Sequence, residues 1–197
     1  MVIDNLESIK YYINPSPDRF WFLQIIARRK DNPNLPRAEK YIKDYYITSE
    51  EHLESVKNEI KQLSKFFNAR VYFHPSARSF EKLSLAFLGE ISKRIINKDY
   101  KIHRLERTIS GSTKAIIPEL KYWMIDIDTK NEDKVTEVIE TIKRIRPDSH
   151  IRKLSTLNGF HLITSAFNST EYYKTISPDI AEIHKNSPIL AYFDVSE

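Results

Sequence analysis

Hydrophobic and polar positions along this chain switch between two periods, and the switches mark its elements. The nearly unbroken apolar run FWFLQIIARR (20–29) predicts a buried strand. KDNPNLPR (30–37), interrupted by two prolines, predicts a loop, and YIKDYYIT (41–48) alternates as a second strand does. A helix follows, opening at Thr48 with Glu51 as the far half of a capping box. Its apolar residues Leu53, Val56, Ile60, Leu63 and Phe67 recur at helical spacing. ARVYFH (69–74) predicts a strand. A second helix carries Phe80, Leu83, Phe87, Leu88, Ile91 and Ile95. Residues 98–119 show little periodicity and read as a connector.

The pattern then resumes. LKYWMIDID (120–128) predicts a strand, and Thr129 with Glu132 a second capping box. The helix behind it places Val135, Val138, Ile139, Ile142 and Ile145 on one face and stops before Pro147. HIRKLST (150–156) and FHLITSAF (160–167) read as paired strands around Asn158-Gly159, a hairpin signal because both residues tolerate positive φ. PILAYFDV (188–195) predicts a last strand. Strands, hairpins and helices in this order predict an α+β fold with mixed or antiparallel sheets and helices packed on one face. The expected division is an N-terminal half (1–97), a connector (98–119) and a C-terminal half (120–197), the halves sharing one core.

Composition narrows the classes. With 197 residues, 41% of them hydrophobic and 29% charged, the chain reads as one medium soluble domain. No apolar run approaches the ~18–20 residues that span a bilayer, so no membrane partner is expected. MVIDNLESIKYY lacks the basic-then-apolar order of a signal peptide, and there is no cysteine, which predicts a cytoplasmic protein. Three glycines are too few for Walker-type or Rossmann-type phosphate loops. The net charge of +4 is uneven: Lys93 to Lys121 holds eight Lys/Arg against three acids, or +5. Such a stretch suits a polyanion, and equally a solvated segment.

Chemistry concentrates in WMIDIDTK (123–130). On a strand Asp126 and Asp128 point to the same side, roughly 6–7 Å apart by strand rise. Unpaired, they repel, and oxygen donors suit Mg2+ or Mn2+. A bare DxD reads first, however, as a strand end that turns into the next helix. In STLNGFHLIT (155–164), Ser155 and His161 flank the turn, where side chains and backbone N–H groups can meet phosphate oxygens; taken alone, a strand histidine is more often structural.

The combination is more specific than its parts. WMIDID, then a helix, then STLNGFH on a hairpin, then AYFD on a later strand resembles the signatures of the archaeo-eukaryotic primase / primase-polymerase superfamily over residues 120–197. The chain also resembles small proteins of bacterial viruses, a likeness that implies no activity. The family resemblance implies an RRM-like C-terminal half and nucleotidyl transfer with two divalent ions, Mg2+ or Mn2+. It implies Asp126, Asp128 and Asp194 as catalytic metal ligands, with His161 and, more weakly, Ser155 on the triphosphate. Lys114, closing the hydroxyl-rich SGSTK, is a further phosphate candidate.

The implied partners are nucleic acid and a nucleoside triphosphate, with room for a protein partner. Basic candidates for the nucleic acid are Arg28, Arg29, Arg70, Arg78, Arg104 and Arg107. Tyr72 joins them because Arg70, Tyr72 and His74 share a strand face, where cation and aromatic grip single strands. A half-buried strand with a snorkelling arginine explains the same pattern. A binding module without chemistry, or a metal-dependent phosphoesterase or nuclease, fits the same residues.

Overall fold

The computed structural model describes residues 1–100, 105–118 and 120–194. The fold is α+β. Ten strands are β1 (Val2–Asp4), β2 (Arg19–Arg28), β3 (Glu39–Ile47), β4 (Arg70–Phe73), β5 (Arg78–Ser79), β6 (Tyr122–Ile127), β7 (Arg152–Ser155), β8 (Phe160–Ser165), β9 (Glu182–Lys185) and β10 (Ile189–Asp194). Helices are α1 (Leu6–Ile9), α2 (Glu50–Phe66), α3 (Phe80–Ile96), α4 (Leu105–Ala115), α5 (Glu132–Ile145) and α6 (Ser169–Tyr172).

The strands form two sheets in which every pairing is antiparallel. The first runs β1-β10-β4-β2-β3, with β5 also on β2; the second runs β7-β8-β6-β9. Chain order and sheet therefore part company at the end. The last strand leaves the C-terminal half and inserts between β1 and β4, so the division expected at 98 and 120 does not contain it. Core continuity follows: Met124, Leu154 and Ile163 of the second sheet pack in one cluster with Trp21, Ile25, Val71 and Ile189 of the first.

Helices fix which faces stay open. β2 is buried on both sides, as its apolar run requires: Leu23 and Ile25 pack with Leu53 and Ile60 of α2. On the opposite face, Phe20 and Phe22 meet Leu83 and Ile116 near α3 and α4. The second sheet turns Ile125, Ile127 and Leu162 toward Val135, Val138 and Ile142 of α5.

Helix starts shift slightly from expectation. Ser49 caps α2 by accepting from His52 N at 3.1 Å, and Asn131 caps α5 through Asp133 N at 2.9 Å; Thr48 and Thr129 stand one and two positions too early. The larger correction is α4, inside the segment expected to be an aperiodic connector. Its buried face is built of hydroxyls (Thr108, Ser112 and Thr113), so apolar periodicity does not reveal it. Thr113 Oγ1 satisfies itself on Ile109 O at 2.9 Å.

Candidate functional site

β6 alternates. Ile125 and Ile127 go to the core under α5, which sends Met124 and Asp126 to the other face. That face looks onto the front of the first sheet, and a cleft of about 550 Å³ lies between them. One wall carries Asp126, Asp128, Thr156, Asn158, His161 and His184. The facing wall carries Gln24, Arg28, Lys30, Glu39, Tyr41, Arg70, Tyr72, His74, Arg78 and Lys114. Leu157 of the β7–β8 loop packs on the Ile3, Leu190 and Phe193 cluster, seating the loop on the first sheet.

Asp126 and His161 are Cα partners across the β6–β8 pair, so register alone makes them neighbours. His161 Nε2 lies 3.5 Å from Asp126 Oδ1. On the ring's other side, Nδ1 faces the Leu190 N–H at 3.5 Å, which leaves the ring proton on Nε2. Burial, then the nearby His184, hold His161 down to about 4, so the ring is neutral at pH 7 and donates toward Asp126. Asp126 moves the opposite way. Burial, then the charge of Asp128, hold its carboxyl above the ordinary value, with Glu182 adding to the effect.

His184 and Lys30 act against these effects without cancelling them. Burial, then Arg70 and Arg28, hold the Lys30 ammonium below its ordinary value, against the opposing charges of Asp31 and Asp128, while Glu39 on the same wall lies 3.5 Å from Arg28 Nε.

The hairpin turn holds its own correction. Thr156 N donates to Gly159 O at 2.9 Å and Gly159 N to Thr156 Oγ1 at 3.0 Å, closing a loop between Ser155 and Phe160. Neither Asn158 nor Gly159 has positive φ. Glycine is required there for closeness instead: a Cβ at 159 would stand 1.9 Å from Ile127 O and 2.7 Å from Thr129 N, the backbone on either side of Asp128.

Of the remaining candidates, Arg28, Arg70, Tyr72, Arg78 and Lys114 line the cleft. Arg70, Tyr72 and His74 share its face, as strand alternation predicts. Arg70 is committed, however, giving both Nε and Nη2 to Asp31 at 2.7 Å. Arg28 Nη1 donates to Tyr72 OH at 3.1 Å, and Lys114 Nζ sits 4.5 Å over the Tyr41 ring. Arg29 is a loop brace: it donates to Leu35 O and Pro36 O and does not line the cleft. Arg107 is exposed on α4, outside the cleft lining. Arg104 lies outside the described residues.

Two acid or hydroxyl candidates face the wrong way. Ser155, Cα partner of Phe160, shares that residue's side of the sheet and is exposed, and Thr156 lines the cleft in its place. Asp194 is displaced by a bulge in β10 between Leu190 and Tyr192. Before it Leu190 faces the cleft; after it Phe193 takes that side and packs with Leu190 and Tyr72. Tyr192 and Asp194 therefore turn to the α2 face, where Lys61 lies 5.3 Å from the Tyr192 ring centroid. Asp194 stands opposite Val2 and joins no acid pair.

A different acid comes to the DxD wall. Glu182 on β9 is the Cα partner of Asp126, and its Oε2 lies 3.3 Å from His184 Nε2. β9 is four residues long and carries no apolar period, so only EIHK itself, two polar side chains two apart, signals it. Among the described residues no group of three or more His, Asp or Glu stands in metal-holding geometry. Among them, too, no helix is long and apolar enough to cross a membrane. Compared with protein-family models, curated proteins and solved structures, the chain matches none.

Proposed function

We propose that this protein is a metal-dependent nucleotidyltransferase of primase-polymerase type that acts on nucleic acid with a nucleoside triphosphate, in the cytoplasm. One observation carries the reading: an acid pair backed by a neutral histidine faces a wall of Arg28, Lys30, Arg78 and Lys114 across an open cleft. Acids facing cations across an open cleft suit a substrate that brings its own phosphates and a divalent ion between them. The order β6, α5, β7, β8, α6, β9, folded into one antiparallel four-stranded sheet, supports the RRM-like half that the resemblance implies.

The donor set fits Mg2+ or Mn2+. Asp126 and Asp128 offer hard carboxylate oxygens on one wall of the cleft, the donor type that suits these ions. In this reading Glu182, the Cα partner of Asp126, would serve in the role that the resemblance implied for Asp194. When bound, the ions supply activation of a 3′-hydroxyl and stabilisation of the leaving pyrophosphate. His161 Nε2–H orients Asp126 or meets a phosphate oxygen, and the opposite wall neutralises phosphate charge.

A second reading, nucleic-acid binding without chemistry, is favoured by the displacement of Asp194. A labelled primer on a template, incubated with nucleoside triphosphates and Mn2+, separates them. Lengthening that disappears in Asp126→Ala/Asp128→Ala supports transfer. Shortening points to a nuclease. A mobility shift with unchanged length, equal in wild type and variant, points to a binding module.

A further inference from the structure

Arg78 is among the largest fully buried side chains, yet it is charged and only 2% exposed. Among the described residues no carboxylate offsets that charge. Its Nη2 meets His74 Nδ1 at 3.3 Å, while Nε and Nη1 have no hydrogen-bond partner among the described residues. No described acid pairs with it, and the Phe22 ring, 6.0 Å from the guanidinium carbon, is its other neighbour. An unpaired buried cation opposes folding, so a fold that keeps one gains something elsewhere. Burial alone lowers Arg78 to about 10, so it stays charged at pH 7.

The surroundings are donors. His74 is held down to about 3 by burial, Arg78 and Lys114, so the ring is neutral; it accepts from Arg78 at Nδ1 and keeps its proton on Nε2. Lys114, from α4, reaches the same wall. Arg78 sits on β5, in the first sheet, whereas the acid pair sits on the second.

We propose that Arg78, with His74 and Lys114, forms a phosphate-binding subsite that works without a metal ion and is separate from the Asp126–Asp128 wall. The proposal rests on the nucleotidyl-transfer reading only for which molecule brings the phosphate: the nucleoside triphosphate or the nucleic-acid backbone.

The test is thermal unfolding in EDTA with inorganic phosphate, against chloride of equal ionic strength. Phosphate stabilises wild type and Asp126→Ala/Asp128→Ala, and fails to stabilise Arg78→Met. Arg78→Met itself unfolds at an equal or higher temperature, because it removes an unpaired buried charge; Arg78→Lys retains part of the phosphate effect. Isothermal titration shows phosphate binding about tenfold or more weaker in Arg78→Met, as loss of charge-assisted hydrogen bonds implies.

Parallel titrations with a nucleoside triphosphate and with a single-stranded oligonucleotide show which source loses affinity in Arg78→Met. Equal phosphate stabilisation of wild type and Arg78→Met overturns the proposal, as does its absence from wild type. The readings fail separately. Arg78-dependent phosphate binding without nucleotide incorporation removes the transfer reading and keeps the subsite. Incorporation with Arg78-independent phosphate binding does the reverse.

Discussion

Gly159→Ala perturbs the site through backbone alone. The added Cβ would lie 1.9 Å from Ile127 O, 2.7 Å from Thr129 N and 2.9 Å from Thr129 O. Ordinary contact begins at 3.4 Å, so the closest pair must separate by about 1.5 Å. All three atoms are main chain, and no side chain can swing aside. Overpacking of this kind costs about 1–3 kcal/mol. For a chain of this size that lowers the melting temperature by about 2–12 °C. The strand end that moves carries Asp128, and a misplacement of about 1 Å at a reacting centre costs on the order of 100-fold in rate. Calorimetry measures the first effect and Mn2+-dependent incorporation the second. Gly111→Ala is the control: nothing lies within 4 Å of a Cβ there, and the site is inside α4, so it should stabilise by about 0.5–1 kcal/mol. Wild-type melting and wild-type Mn2+-dependent incorporation in Gly159→Ala would refute the packing of the hairpin loop against the DxD strand.

His161 falls from 6.5 to about 4, so the unfolded chain binds a proton the folded one refuses; stability is full above about 6.5 and drops by about 3 kcal/mol as pH falls toward 4. Denaturant unfolding at pH 7 and 4.5 should show this drop in wild type and a smaller one in His161→Gln; equal drops would exclude it. Asp126 runs the other way: its raised value means stability lost as pH rises through it, so Asp126→Asn should be the more stable protein at pH 7 and lose that advantage in acid. Arg70→Met leaves Asp31, 12% exposed at its side chain, without its partner and should cost about 3–5 kcal/mol by denaturant titration. Asp194→Asn should leave incorporation at the wild-type rate while Glu182→Gln slows it; the reverse pattern would restore Asp194 to the site.

Local pattern made much of this site legible. The alternation in YWMIDI assigns Asp126 to the face opposite α5, and RVYFH assigns Arg70, Tyr72 and His74 to one face, because side-chain direction on a strand is a local property. What failed was nonlocal. Nothing in PILAYFDV names its partner strands, and the bulge that turns Asp194 away is set by pairing with β4. α4 hid behind a hydroxyl-rich buried face, and β9 was too short to show a period. Arg70 read as a free cation because its Asp31 partner lies 39 positions away in a loop. Gly159 was singled out for the wrong reason: the turn signal was real, but the glycine answers to the neighbouring strand and not to its own φ.

The acid pair itself decides the account. Mn2+ titration followed by electron paramagnetic resonance counts free ion directly and needs no turnover. Wild type should bind Mn2+, a nucleoside triphosphate should tighten the binding, and Asp126→Ala/Asp128→Ala should abolish it while remaining folded. Equal Mn2+ binding in the folded variant and in wild type would contradict it.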